Sequence, residues 1–228
     1  KAREDMQQQS GVRQAHDGSE ELVIDNVALS LPNGQPLISA SSATIKSGES
    51  LLICGPSGSG KSTLFRAIAG IWPFGDGRMR MPASFRVLFL PQRPYLPLGT
   101  IRDVVTYPAS LVEFSDEQIK DVLNAVGLPQ LVDRLDDHQN WSLQLSPGEQ
   151  QRIAFARTLL QKPAWLFLDE ATSALDGAAE EKLYRLLKER LAGTTIISIG
   201  HRPALLGFHS RRLELREDGN GTRALVAI

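Results

Sequence analysis

The stretch LLICGPSGSGKST, residues 51–63, decides the fold of this protein. The apolar run Leu51–Cys54 predicts a buried strand, and the periodic segment 61–69 predicts a helix that ends at Gly70. The loop between them, GPSGSGKST, matches the pattern G-x-x-x-x-G-K-[ST]. Because a strand, a glycine-rich loop and a helix in this order are typical of parallel α/β units, we expect a parallel-sheet core.

The loop has the chemistry of a phosphate cradle. Glycines allow backbone amides to turn inward around a phosphate without Cβ clashes. Lys61 would reach the β- and γ-phosphates of a nucleotide, and the Ser62 hydroxyl would bind Mg²⁺. A merely flexible Gly/Ser loop would not need the strand and the helix on either side. The predicted cradle consists of Gly55, Pro56, Ser57, Gly58, Ser59, Gly60, Lys61, Ser62 and Thr63.

Two carboxylates follow a second apolar strand in WLFLDE, residues 165–170. Asp169 is suited to hold Mg²⁺ through water, and Glu170 is suited to polarise an attacking water. General-base catalysis of this kind accelerates a reaction by about 10²- to 10⁴-fold. An Asp-Glu pair at the start of a loop is commonly a helix cap, but its position downstream of a P-loop favours the catalytic interpretation.

Gln92 and His201 also come just after predicted strands, RVLFL (86–90) and TTIISIG (194–200). A lone Gln is usually a surface residue and a lone His usually a structural one. The carboxyl ends of core strands, however, form the open face of an α/β nucleotide site. We therefore expect Gln92 to contact Mg²⁺ or the attacking water, and His201 to donate a hydrogen bond to the γ-phosphate.

A second phosphate-facing helix start is predicted in LSPGEQ, residues 145–150. Ser146 is placed as N-cap, Pro147 as first helical residue, and Glu149 completes a capping box. The exposed amides and the dipole of such a helix start favour an anion. A protein with a single P-loop nucleotide site would not need this second helix start.

Composition limits the class of protein. The chain has 228 residues, 42% of them hydrophobic and 22% charged, which is ordinary for a globular domain. The formal net charge of −1 gives no reason to expect a nucleic-acid partner. No apolar run approaches the roughly 18 residues that a membrane-spanning helix requires.

The order of the patterns predicts the domain organisation. Strands are expected at 21–31 and 37–45, a capped helix at 115–127, and a closing hairpin in RRLELRE and RALVAI. The fold class is thus α/β: a P-loop NTPase parallel-sheet core with an N-terminal antiparallel β layer and a helical insertion. The predicted parts are a polar linker at 1–19, a domain at 20–228, its core at about 20–92 and 161–228, and a helical subdomain at about 93–160.

As a set, these motifs resemble the nucleotide-binding domains of ABC transporters. The resemblance covers about residues 21–207 and rests on six features in the family's order. They are Walker A (55–63), Gln92, LSPGEQ (145–150), Walker B (165–170), SALD (173–176) and His201. The stretches FLPQRPYLPLGTIRDVVTYP (89–108) and AGIWPFGDGRMRMP (69–82), with Trp141, resemble the peroxisomal fatty-acyl half-transporters and their bacterial inner-membrane relatives.

The resemblance implies a function and partners. Two such domains stack head to tail with two ATP molecules and Mg²⁺ between them. Ser146 and Gly148 then face the γ-phosphate held by Lys61 of the other copy, and Asp176 lies at the dimer centre. The expected protein is the ATP-hydrolysing motor of an exporter-type half-transporter at the cytoplasmic face of a bacterial inner membrane. Its transmembrane domain would precede Lys1 in the same polypeptide.

Two departures from the family pattern and two alternatives remain open at this point. Pro147 stands where many relatives have glycine. Residues 21–45 contain no aromatic side chain to stack on adenine, so Leu31 or Pro32 would supply only apolar contact. A soluble ABC-type ATPase in DNA repair or translation shares the motifs, but usually carries a coiled-coil insertion or a second cassette. In a P-loop kinase or GTPase, LSPGEQ and His201 would have no function.

Overall fold

The computed structural model describes residues 11–16, 18–83, 85–109 and 114–228. The strands of this part of the chain are β1 (Arg13–His16), β2 (Leu22–Ser30), β3 (Pro36–Ile45), β4 (Ser50–Cys54), β5 (Gly75–Met81), β6 (Val87–Leu90), β7 (Gly99–Thr100), β8 (His138–Gln139), β9 (Trp165–Asp169), β10 (Thr195–Ile199), β11 (Arg211–Glu217) and β12 (Arg223–Ala227). The α-helices are α1 (Lys61–Ile68), α2 (Ile101–Thr106), α3 (Asp116–Ala125), α4 (Trp141–Gln144), α5 (Pro147–Gln161) and α6 (Gly177–Arg190), with 3₁₀ helices at Pro129–Arg134 and Pro203–Phe208.

The chain divides into two compact units. The first consists of Lys1–Arg86 with Thr195–Ile228, and the second is Val87–Thr194. The sequence predicts a helical subdomain at 93–160. The second unit contains this whole range together with β6, β9 and α6.

The first unit combines parallel and antiparallel strand pairs. β4 pairs in parallel with β10 on one side and with β11 on the other. β2 pairs antiparallel with both β3 and β5, and β11 pairs antiparallel with β12 as the predicted hairpin. Leu51, Leu52 and Ile53 of β4 are buried, so both faces of this strand lie in the interior, as is typical of a parallel strand whose sheet is covered on both faces. The P-loop thus leaves the sheet at a rigid interior position.

The second unit is mainly helical and contains one parallel strand pair. β6 and β9 pair in parallel, with Val87 opposite Trp165, and the rings of Phe89 and Phe167 stack at 4.5 Å. Helix α5 packs against both α2 and α3. Its Phe155 is fully buried. This helix begins at the LSPGEQ motif, so the packing fixes where that motif lies within the unit.

A short strand lies within the segment predicted to be a polar linker. β1 pairs in parallel with β5, although all its side chains are exposed. The Gln14 side-chain amide donates to the carbonyls of Ala67 and Ile68 at 2.8 and 3.0 Å, which satisfies acceptors at the end of α1. The polar composition gives no sign of this pairing. Residues 1–10 and 17 of the predicted linker lie outside the described residues.

In the described part of the chain, none of the helices has the length and apolar character needed to cross a bilayer.

Candidate functional site

The P-loop has the backbone that its glycines predict. Gly55, Gly58 and Gly60 all have positive φ, between 72° and 139°, which side-chain-bearing residues rarely adopt. A Cβ at Gly55 would lie 3.0 Å from the Leu215 carbonyl and 3.1 Å from Ser59 Oγ. The loop backbone at Gly55 is therefore in close contact with β11, and a larger residue would not fit there. This backbone fits the phosphates of a nucleotide.

Lys61 is folded onto the loop that it follows. It is buried, and its ammonium donates to the carbonyls of Gly55 and Pro56, both at 2.8 Å. The charge is thus held over the concave side of the loop by two neutral acceptors. A phosphate is a stronger acceptor for an ammonium than a carbonyl, so these bonds can be exchanged for bonds to a nucleotide.

The structure brings His201 to the same end of the first unit as the P-loop. Ile199, at the end of β10, pairs with Ile53 of β4. The segments that follow these two strands therefore leave the sheet side by side. His201 is exposed. The following segment is anchored by His209, a residue that the sequence analysis missed. Its ring nitrogens lie 2.8 Å from the Leu205 carbonyl and 2.8 Å from the Ser198 hydroxyl.

In the second unit, the structure brings Gln92 and Glu170 together. Leu90 pairs with Leu168 at the carboxyl ends of β6 and β9. The Gln92 side-chain amide donates to the Glu170 carboxylate at 3.2 Å. Glu170 has φ of 49°, a left-handed conformation that is uncommon outside glycine and is enriched at functional sites. Asp169 ends β9 directly before it.

Gln151 is a second residue that the sequence analysis missed. It is buried on α5, and its amide donates to the Gln92 carbonyl at 2.9 Å and to the Ser173 hydroxyl at 3.2 Å. Its carbonyl oxygen accepts from the Ala174 amide at 3.0 Å. Gln151 therefore ties α5 to the segments after both β6 and β9. A polar side chain on the apolar side of a predicted helix is the only sequence signal for it.

The LSPGEQ motif forms the predicted capping box. Ser146 donates through its backbone amide and its hydroxyl to the Glu149 carboxylate at 2.9 and 2.7 Å, and accepts from the Glu149 amide at 3.3 Å. The hydrogen bond from the Ser146 hydroxyl is the main cause that lowers the pKa of Glu149. Pro147 is the first helical residue, as predicted, where a missing amide costs no hydrogen bond.

Asp176 lies beside this helix start. A cleft of about 420 Å³ is lined by Ser146, Pro147, Gly148, Glu149, Arg152, Ala174, Leu175 and Asp176. A Cβ at Gly148 would lie 3.2 Å from Leu175 and 3.3 Å from the Ala174 carbonyl, so a larger residue would push the two segments apart. The sequence-predicted residues Ser146, Gly148 and Asp176 thus share one open face of the second unit.

The donor chemistry of the predicted metal ligands fits Mg²⁺. Ser62, Gln92 and Asp169 supply the oxygen atoms that this hard cation prefers. Among the described residues, no group of three or more His, Cys, Asp or Glu side chains could hold a metal by itself.

The chain is similar in sequence to known proteins. The family model described as ABC transporter matches residues 38–173. An uncharacterised ABC transporter ATP-binding protein of Synechocystis is 48% identical over 202 residues, which are 87% of this chain and 30% of that protein. ATP-binding cassette sub-family D member 3 of Mus musculus is 39% identical over 204 residues, 86% of this chain and 31% of that protein. The chain thus spans about three tenths of the length of these relatives.

A solved structure has a similar fold. A bacterial Atm1-family ABC exporter with ATP bound superposes with a TM-score of 0.79 at 25% identity, covering 94% of this chain and 40% of the exporter chain. The α/β fold class predicted from the sequence is therefore confirmed. The resemblance predicted from the motifs is confirmed as well.

Proposed function

Because the chain belongs to the ABC transporter family, we propose that it is the ATP-binding and ATP-hydrolysing motor domain of an exporter-type half-transporter. The observation that carries this proposal is the P-loop, whose positive-φ glycines lead directly into α1 with Lys61 folded over them. The transporter names of the similar proteins favour this function over a soluble switch ATPase, a kinase or a GTPase.

The residues divide the chemistry between them. Lys61 and the P-loop amides bind the β- and γ-phosphates, and His201 donates to the γ-phosphate. Ser62, Asp169 and Gln92 would hold Mg²⁺, which would offset the negative charge of the phosphates. Glu170 accepts the proton of the attacking water, and its bond from Gln92 orients the carboxylate for that task. Water then displaces ADP from the γ-phosphorus in line.

The partners follow from the open face of the second unit. A second copy of the domain stacks head to tail, so that Ser146 and Gly148 reach the γ-phosphate bound by the partner copy, with Asp176 at the centre. The cleft around Ser146 supports this arrangement, since it is open and has a helix start for an anion. A transmembrane domain that precedes this chain in the same polypeptide holds the motor at the cytoplasmic face of a membrane, in bacteria the inner one.

Two measurements test the proposal. The purified chain should hydrolyse ATP with Mg²⁺ and lose this activity in EDTA, and Lys61→Ala should lower turnover by about 10²-fold, the loss expected when one charge-stabilising group is removed. The reading frame upstream of Lys1 should encode apolar stretches of about twenty residues. Hydrolysis that persists in EDTA contradicts the Mg²⁺-dependent mechanism, and an upstream frame without apolar stretches contradicts the half-transporter.

A further inference from the structure

The segment that carries His201 is a short crossover between two parallel strands. β10 ends at Ile199 and β11 begins at Arg211, and both strands pair in parallel with β4. Parallel strands are usually joined by about a dozen or more residues that form an α-helix. Here residues 200–210, all of them described, contain a 3₁₀ helix instead, and Leu205 alone of that helix is buried. The packing that normally holds a crossover helix is therefore reduced to one side chain.

Leu205 packs against the residue that directly precedes His201. The leucine is 2% exposed, and a Cβ at Gly200 would lie 2.3 Å from its Cδ1. Glycine at position 200 therefore allows the leucine to lie this close to the backbone. Because the contact is made at the residue before His201, the position of Leu205 helps to set the position of the His201 backbone.

His209 holds the same leucine by hydrogen bonding. Its Nδ1 lies 2.8 Å from the Leu205 carbonyl, and its Nε2 lies 2.8 Å from the hydroxyl of Ser198 in β10. A carbonyl oxygen can only accept, so Nδ1 carries a proton and donates to Leu205. In the neutral ring, Nε2 then accepts from the Ser198 hydroxyl, which is fully buried. Both ring nitrogens thus connect the crossover to the strand before it.

The backbone next to His209 is fixed by the sheet. Ser210 donates to the Ser50 carbonyl through its amide at 2.9 Å and through its hydroxyl at 3.0 Å. Ser50 is the first residue of β4, the strand that leads to the P-loop. The imidazole therefore extends from a fixed backbone position, and its two hydrogen bonds can hold the loop of residues 201–208, here called the His201 loop.

We propose that His209 is a positioning residue for His201: its hydrogen bonds to Leu205 and Ser198 hold the His201 loop where the His201 ring meets the γ-phosphate. The inference deepens the proposed function and rests on it, because the contact of His201 with the γ-phosphate belongs to that function. His201 is exposed, so the placement of its ring depends on where its backbone is held. A misplacement of about 1 Å can lower a reaction rate by about 10²-fold.

This role predicts an effect that depends on the third phosphate of the nucleotide. ADP has no γ-phosphate, so a displaced His201 should weaken the binding of ATP and leave that of ADP unchanged. Damage to the P-loop, in contrast, would weaken both nucleotides, since its amides and Lys61 bind phosphates that ATP and ADP share. The ratio of the two affinities therefore separates positioning of His201 from a general structural defect.

The first experiment measures nucleotide binding by the chain that carries Glu170→Gln, so that ATP is not consumed. His209→Phe keeps a ring but makes neither hydrogen bond, and we expect the Kd for ATP to rise about tenfold, as for loss of one hydrogen bond to a charged group. The Kd for ADP should not change. His209→Gln should retain tight ATP binding, because its amide can donate to Leu205 and accept from Ser198. His16→Phe, at an exposed position of β1, is the matched control.

A double-mutant cycle shows whether His209 acts through His201. His201→Ala should also weaken ATP binding, and the addition of His209→Phe should then cause no further loss. The same loss in both backgrounds, an equal loss for ATP and ADP, or no recovery with His209→Gln overturns the inference. Normal ATP binding by His209→Phe alone overturns only the inference. Normal ATP binding by His201→Ala contradicts the proposed role of His201 and the inference with it.

Hydrogen exchange tests the His201 loop without nucleotide. The Leu205 amide donates to the Arg202 carbonyl at 3.1 Å, so its exchange rate reports how often the 3₁₀ helix opens. His209→Phe should raise this rate about tenfold, since it leaves the Leu205 carbonyl and the Ser198 hydroxyl without the ring. Ser198→Ala removes one bond and no bulk, so it should raise the rate less and remains usable if His209→Phe unfolds. Rates unchanged in both variants would show that the ring does not hold the loop, and would overturn the inference.

Discussion

Gln92 donates a hydrogen bond to Glu170 at 3.2 Å, at the carboxyl ends of two paired parallel strands. The Gln92 carbonyl in turn accepts from the buried Gln151 of α5. The proposed general base is thus oriented by the side chain of Gln92, and the backbone of Gln92 is held by Gln151 of α5. Glu170, Gln92 and Gln151 form one connected network within the second unit.

Replacement of the proposed base should stop hydrolysis but not binding. Glu170→Gln keeps the hydrogen-bonding shape of the side chain but cannot accept a proton. We expect turnover to fall by at least about 10²-fold with ATP binding retained, and an ATP-bound dimer to accumulate in gel filtration. The exposed Glu189→Gln on α6 serves as control. Near-normal turnover of Glu170→Gln would remove this residue from the catalytic role.

Loss of the hydrogen bonds of Gln151 should lower both the stability of the protein and its ATPase turnover. Gln151→Leu leaves the Gln92 carbonyl and the Ala174 amide without their partner, and should lower the free energy of unfolding by about 1–3 kcal/mol. Denaturant unfolding measures the stability, and a steady-state ATPase assay measures the turnover. Gln144→Leu, at an exposed position of α4, is the matched control. Equal stability of the two variants would show that the buried network contributes little.

If Ser146 serves the nucleotide of the partner copy, defects in two chains should complement each other. Lys61→Ala and Ser146→Arg should each be nearly inactive as homodimers. A mixed dimer keeps one site with an intact Lys61 from one chain and an intact Ser146 from the other. Mixing the two variants should therefore restore measurable ATPase activity.

The control for this experiment is a second capping box. Ser115 caps α3 with Gln118 in the same way as Ser146 caps α5 with Glu149. Ser115→Arg damages a cap without touching the proposed shared site, so it should retain activity on its own. ATP-dependent cross-linking of the mixed pair is scored as well. Absence of both rescued turnover and mixed dimers would refute the shared site.

Base selectivity should be poor. Residues 21–45 contain no aromatic side chain, and an aromatic partner stacked on a base contributes about 1–3 kcal/mol. A Cβ at Gly60 would lie 3.1 Å from the side chains of Leu37 and Ile38, so aliphatic groups border the P-loop. We expect GTP to compete with ATP within about tenfold in displacement of a fluorescent nucleotide, because apolar contacts alone do not read the hydrogen-bonding edge that distinguishes the two purines.

A strong preference would point to another mode of base recognition. Selection of ATP by about a hundredfold or more, equivalent to roughly 2.7 kcal/mol, would require hydrogen bonds to the adenine edge or an aromatic ring from elsewhere. Leu37→Ala then distinguishes the contributions. If Leu37 supplies only apolar contact, its loss should weaken ATP and GTP binding equally.

Local sequence patterns were sufficient to predict most of the secondary-structure elements. The strand at 51–54, the P-loop, the helices with Ser115 and Ser146 as caps and the closing hairpin all follow from local patterns. Such patterns are reliable because capping, glycine conformations and hydrophobic periodicity involve residues within one or two turns of each other. The adjacency of Gln92 and Glu170 was also within reach, since carboxyl ends of parallel strands share an edge.

Which polar side chains bind backbone carbonyls far away in the sequence follows from the tertiary structure alone. Gln151 binds a carbonyl at residue 92, Arg157 binds carbonyls at 95 and 104, and Gln14 binds carbonyls at 67 and 68. Apart from the position of Gln151 on the apolar side of its helix, nothing local distinguishes these side chains from solvated ones. Folding removes water from a particular backbone carbonyl, and the nearest donor then has to satisfy it. That pairing depends on the packing of whole elements, which no short stretch of sequence encodes.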